Sequence, residues 1–201
     1  MDKFTHLEPE IKKLAQKCLE NGHIDPELYD KYEVKRGLRY KSGRGVLTGL
    51  TEIGEVKSYT IDDGEMIPCE GKLYYHGVDI EQIVDGFTKD KRFGFEEVVY
   101  LLLFGEQPNK RQLEEFRHVI AEYRLLPTTF VRDIIMKAPS SDMMNTLARS
   151  VLTMYSYDKR ADDTSIENVL RQSLQLIAIF PLLSVYGYQA CNHYLKGHSL
   201  F

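Results

Sequence analysis

Phe95-Glu96-Glu97-Val98-Val99-Tyr100-Leu101-Leu102-Leu103-Phe104-Gly105-Glu106-Gln107-Pro108 reads as a helix together with its exit. Phe95, Val98, Val99, Leu102 and Leu103 recur at the spacing of one helical face, and Gly105 stands where a left-handed residue closes a helix. Pro108-Asn109 opens the next segment, which Leu113, Phe116, Val119, Ile120 and Tyr123 stripe and Pro127 ends. The pattern continues downstream. Helices are expected over 128–136 and 142–155, with Pro139 and Ser140-Ser141 between them and a polar loop over 157–163. Thr164, with Glu167 three positions on, has the form of a capping box for a last helix reaching about His193. From Leu174 that helix is apolar on nearly every face, so it needs several packing partners, and Pro181 should kink it.

Upstream, Asp79 is a good cap for a helix over 80–84. Thr5 and Pro9 open a first helix with apolar Leu7, Ile11, Leu14, Ala15, Cys18 and Leu19. Asn21-Gly22 ends it, and Asp25-Pro26 begins a short second helix. Residues 36–79 differ in character: they hold eight glycines and β-type runs at 46–50, 55–60 and 72–75. The chain is therefore mainly α, with a small irregular β-region near residues 45–76.

Composition narrows the function classes. The 201 residues are 43% hydrophobic and 28% charged, with a formal charge of −4, so the chain can build a core and carries no global basic field for nucleic acid. Cys18, Cys69 and Cys191 lack the short paired spacing of a zinc or redox site, so no metal is indicated and a reducing compartment is the simplest setting. The polar start MDKFTHLEPE has no signal-peptide character, which points to the cytoplasm. The most apolar stretch, 174–188, is interrupted by Gln175, Pro181, Ser184 and Gly187 and falls short of the roughly 20 residues of a membrane span. A core helix, with no membrane partner, is expected.

Two strings carry a resemblance. Glu70-Gly71-Lys72-Leu73-Tyr74-Tyr75-His76-Gly77-Val78-Asp79-Ile80-Glu81 resembles the "G-x-L-x-Y-R-G-Y-D-I" segment of the citrate synthase family, and 95–108 resembles its "F-E-E-V-x-Y-L-L-L-x-G-x-L-P" segment. Their order and separation are similar to the family's, and Arg36-Gly37-Leu38-Arg39 with Gly45-Val46-Leu47 is similar to its entry into the large domain. His76 departs from the usual Arg, and Ser141-Asp142-Met143-Met144 from a His-Pro-Met element.

The resemblance implies a multi-helical large-domain fold, truncated. Residues 1–35 would be N-terminal helices and 36–201 the N-terminal part of the large domain, with the catalytic and small-domain regions absent. The implied reaction condenses acetyl-CoA with oxaloacetate in a homodimer. An aspartate removes a methyl proton, histidines stabilise the enol and polarise the ketone, and the citryl thioester is hydrolysed. Coenzyme A enters as part of a substrate, so no cofactor is expected. The family's catalytic histidines, aspartate and citrate-binding arginines fall after the position corresponding to Phe201, so no catalytic residue is assigned and the chain alone is expected to be inactive. The same fold serves 2-methylcitrate synthase, which takes propionyl-CoA. A different class of reading is a non-catalytic helical interaction module.

Arg39 and Arg160 stand where family arginines approach the nucleotide phosphate of CoA, and a guanidinium in a polar loop suits that task. Each could equally be a solvated charge or a local ion pair. His6, His23, His118, His193 and His198 have no neighbouring base in sequence and are read as surface or structural groups. The basic cluster 89–92 is read as surface.

Overall fold

Helix formation begins with Thr5–Leu7 as a short 3₁₀ turn that runs into α1, Glu8–Asn21. A computed structural model describes residues 5–32, 34, 50–63 and 65–199. Arg39, all but Leu50 of the run 46–50 expected as a strand, and the end Leu200-Phe201 lie outside them, and Leu50 itself is not in a strand. Contacts divide the chain into two compact units, Met1–Ala15 with Glu115–Phe201, and Gln16–Glu114.

In the second of these, α2 is Glu27–Lys31, and the Glu27 N–H donates to Asp25 Oδ1 at 3.0 Å. Strand β1, Gly54–Asp62, pairs antiparallel with β2, Glu65–Tyr75, and β3, Val78–Asp79, adds to the end of β2. His76 and Gly77, at φ 46° and 77°, join β2 to β3 as a two-residue turn whose central residues are both left-handed. Strand β2 is much longer than the expected 72–75. Pro68 and Gly71 hide it in sequence, because neither favours a strand interior.

Asp79 caps α3, Ile80–Lys89, by accepting from the Glu81 N–H at 2.9 Å, and the helix runs a turn beyond the expected 80–84. Arg92, within the basic cluster, pairs with Asp90 and Glu97. Helix α4 spans Phe95–Phe104, and Gly105, at φ 74°, closes it through an N–H to the Leu101 carbonyl. The buried face, however, is Tyr100, Leu101 and Phe104, while Phe95 is exposed and Val98, Val99, Leu102 and Leu103 are half-buried. Every position from 98 to 104 is apolar, so periodicity cannot choose the face.

In the other unit, Leu7, Ile11, Leu14 and Ala15 are buried, as expected for α1. Helix α5, Lys110–Tyr123, starts in the unit Gln16–Glu114, where Asn109 and Gln112 exchange side-chain and backbone hydrogen bonds in a reciprocal cap, and runs on into this one. Its Phe116, Val119, Ile120 and Tyr123 are buried, and it ends before Pro127. The helix expected over 128–136 is instead a short π-helix, Val131–Met136. Thr129 at φ 68° interrupts any regular start, a conformation a β-branched residue adopts only under constraint.

Helix α6, Met143–Tyr155, is capped by Asp142, which accepts from the Asn145 N–H at 3.0 Å. Helix α7, Ile166–Lys196, packs on α6 and on the π-helix. Its cap is Ser165, not the expected Thr164, because Ser165 is the residue whose side chain faces the Asn168 N–H. By length and composition α7 could cross a membrane, yet Leu174, Ile179 and Leu183 are fully buried within the protein. Ile166, Val169, Phe180, Tyr188 and Leu195, at other positions around the helix, are exposed, so among the described residues α7 is not surrounded.

Candidate functional site

Tyr155 ends α6 and Ile166 begins α7, and the loop between them carries the one described arginine of the two singled out from sequence. Arg160 is exposed, and its guanidinium lies 4.0 Å from Glu8. Its backbone is more tightly held than its side chain. The Arg160 N–H donates to Asp158 Oδ1 at 3.0 Å, and Asn168 Nδ2 donates both to the Arg160 carbonyl at 2.8 Å and to the Asp163 carbonyl at 2.7 Å.

These contacts belong to a network that sequence reading does not find. Arg171, buried on α7, donates through a terminal nitrogen to Asp158 Oδ2 at 2.5 Å and through Nε to Asn168 Oδ1 at 2.9 Å. Gln172 donates to the same Asp158 oxygen at 3.0 Å and to the Ala161 carbonyl at 3.2 Å. Burial alone would raise the Asp158 carboxyl, but hydrogen bonds from Arg171, Gln172 and the Arg160 N–H outweigh it and hold the group below the usual carboxylate range. The available signal was Asn168, Arg171, Gln172 and Gln175 at helical spacing on one side of an otherwise apolar helix.

The network forms one wall of a cavity of about 830 Å³. Leu126, Val151, Leu152 and Leu176 give it an apolar lining, and Asp158 and Lys159 stand on its polar side. The volume lies within the range of small-molecule pockets. Of the loop's two cations, Lys159 lines the cavity and Arg160 does not; both stand on a backbone fixed by buried groups, so either can meet an anion without the loop first being ordered.

Histidines are dispersed. His6 lies 3.5 Å from Glu122, a carboxylate neighbour that only the fold supplies, and both groups are substantially exposed. His193 Nδ1 is 2.7 Å from the His198 carbonyl oxygen. His23 and His118 are exposed. No group of three or more His, Cys, Asp or Glu suited to a metal occurs among the described residues.

Residues 38–199 match the family model described as citrate synthase, C-terminal domain. The chain is 28% identical over 180 residues to a citrate synthase of Corynebacterium glutamicum, covering 84% of this chain and 38% of that protein. It is 26% identical over 151 residues to a 2-methylcitrate synthase of the same organism, covering 75% and 34%. The crystal structure of citrate synthase from Pyrobaculum aerophilum shares the fold, with a TM-score of 0.59 at 23% identity over 83% of this chain and 41% of that one. The chain thus spans less than half the length of each of these relatives. With the family model matched over most of its residues, this mainly helical chain belongs to the citrate synthase family.

Proposed function

We propose that the chain forms part of an enzyme that condenses acetyl-CoA with oxaloacetate and water to give citrate and CoA. The observation that carries this reading is the unbroken family match across residues 38–199. Within it, the chain's own task is to scaffold the site and to meet the anionic end of coenzyme A through Arg160, with Arg39 as its counterpart outside the described residues. The buried Asp158–Arg171 network supports that role, since it holds the loop in place while leaving the Arg160 side chain free to exchange Glu8 for a phosphate. The resemblance assigns none of these 201 residues to the family's catalytic histidines or aspartate, so the acid–base steps are expected from other groups. The exposed apolar residues of α7, among them Phe180, Tyr188 and Leu195, support a homodimer, with the protein working in the cytoplasm.

The second reading, 2-methylcitrate synthesis from propionyl-CoA, has the similarity to a 2-methylcitrate synthase behind it. CoA thiol release from acetyl-CoA and from propionyl-CoA, each with oxaloacetate, tests both readings. It should be followed for this chain alone and for the longer protein in which we propose it is embedded. Activity only in the longer protein is expected, and the preferred thioester identifies the reaction. Turnover by the 201 residues alone would overturn the assignment of the acid–base groups, and an inert longer protein would overturn the enzymatic reading.

A further inference from the structure

The β1–β2 hairpin has two long edges of different character. The edge of β2 is blunted by Pro68 and by a bulge: between the pairs Lys57↔Lys72 and Tyr59↔Pro68, β2 contributes Cys69, Glu70 and Gly71 where β1 contributes Ser58 alone. The edge of β1 has neither device. It is the outer strand of the sheet, it runs without an inserted residue, and no described strand pairs with its far side.

The residues along that edge are self-complementary. Within β1, Glu55, Lys57 and Tyr59 alternate onto one face, with Val56 on the other. If a second β1 lies antiparallel with Val56 opposite Val56, each Glu55 meets the other copy's Lys57. Val56 and Tyr59 are exposed at 76% and 47% in the single chain. Among the described residues, no acid stands directly opposite Lys57. Its cross-strand neighbour is another cation, Lys72, whose own ammonium is engaged by Glu81 at 2.8 Å and by Asp79 at 3.6 Å. Like charges directly opposed on a sheet are unfavourable, and an acid from a second copy removes the conflict.

We infer that β1 is an interaction edge for a second copy of this chain, paired antiparallel about Val56 with reciprocal Glu55–Lys57 contacts. Such an isologous contact needs only residues of β1.

Two charge variants test it. E55K carries lysine at both 55 and 57, and K57E carries glutamate at both, so neither can form an amide within its own β1. The two are mixed and treated with a zero-length carbodiimide, which joins a carboxylate to an amine with loss of water. A covalent heterodimer linked between positions 55 and 57 is expected, with about tenfold less β1–β1 product from either variant alone. Adding Val56→Asp to both chains places two carboxylates on the two-fold axis and should abolish the product. Circular dichroism confirms that each variant is folded. Folded chains that yield no 55–57 link, a link unaffected by Val56→Asp, or links from β1 only to other segments or to a different protein would each overturn the proposal.

Discussion

Arg171 and Asp158 meet at 2.5 Å with their side chains only 8% and 18% exposed, so the loop between α6 and α7 is anchored by an ion pair largely withdrawn from water. Neither partner is well accommodated alone. Arg171→Met leaves Asp158 with a buried charge satisfied only by Gln172 and the Arg160 N–H, and should lower stability by about 3 kcal/mol. Asp158→Leu should cost a similar amount. The double variant should lose clearly less than the sum, because an apolar pair leaves no stranded charge. Urea denaturation of the three variants measures this coupling.

The same pair sets an acid limb. The folded Asp158 carboxyl lies below its unfolded value, which is near 3.9, so its contribution is complete above that value and is lost as pH falls through the lower, folded one. Asp158→Asn should therefore be destabilised at neutral pH and show a shallower fall in stability below about pH 4 than the parent chain. Chemical denaturation in a pH series provides the comparison, and parallel acid limbs would contradict it.

For Arg160 the expected effect is on binding. Its backbone is held by Asn168 and Asp158 while its exposed guanidinium lies 4.0 Å from Glu8 and helps hold the Asp163 carboxyl below its ordinary value, both surface interactions, so Arg160→Ala should leave the fold unchanged within about 0.5 kcal/mol. In the longer enzyme it should raise the Michaelis constant for the acyl-CoA with little change in kcat, the pattern of a lost ground-state contact. An unchanged Michaelis constant would remove Arg160 from the site.

Two glycines mark where backbone geometry leaves no room for a side chain. A Cβ at Gly105 would meet Asn21 Cβ at 3.1 Å in a residue at φ 74°, and one at Gly187 would meet Thr146 Cγ2 at 2.9 Å, where α7 crosses α6. Gly105→Ala should cost about 1–2 kcal/mol from the left-handed conformation alone. Gly187→Val should cost about 1–3 kcal/mol by forcing the two helices apart. Thermal melts of both variants read these losses.

Features fixed by a single residue's local chemistry are legible in the sequence. Asp79 acts as a cap because a short acceptor precedes an apolar run, and Gly105 closes α4 because a left-handed exit favours glycine. Features chosen by tertiary partners are not. The buried side of α4 cannot be picked from seven consecutive apolar residues, and β2 extends through Pro68 because β1 supplies its register. At the candidate site, Arg160 came from a motif, whereas its support comes from Asn168, Arg171 and Gln172, polar residues whose meaning appears only when the loop folds back onto α7. The sequence motifs locate the family, and the packed helix explains why the loop holds still.

The start of α7 separates local grammar from geometry most sharply. Thr164 and Glu167 match a capping box, yet Ser165 is the residue whose hydroxyl accepts from the Asn168 N–H, and the Ser165 N–H is itself bound by Asp163 at 2.9 Å. Asn168 must sit at that point of the first turn for its amide to reach the Arg160 and Asp163 carbonyls, so the network sets the helix start one residue later than the box would. Ser165→Ala should then cost about 1 kcal/mol, and Thr164→Ala should change stability by less than about 0.5 kcal/mol. Hydrogen exchange at the Asn168 amide should quicken in the first variant only. The reverse ranking would return the cap to Thr164 and with it the expected box.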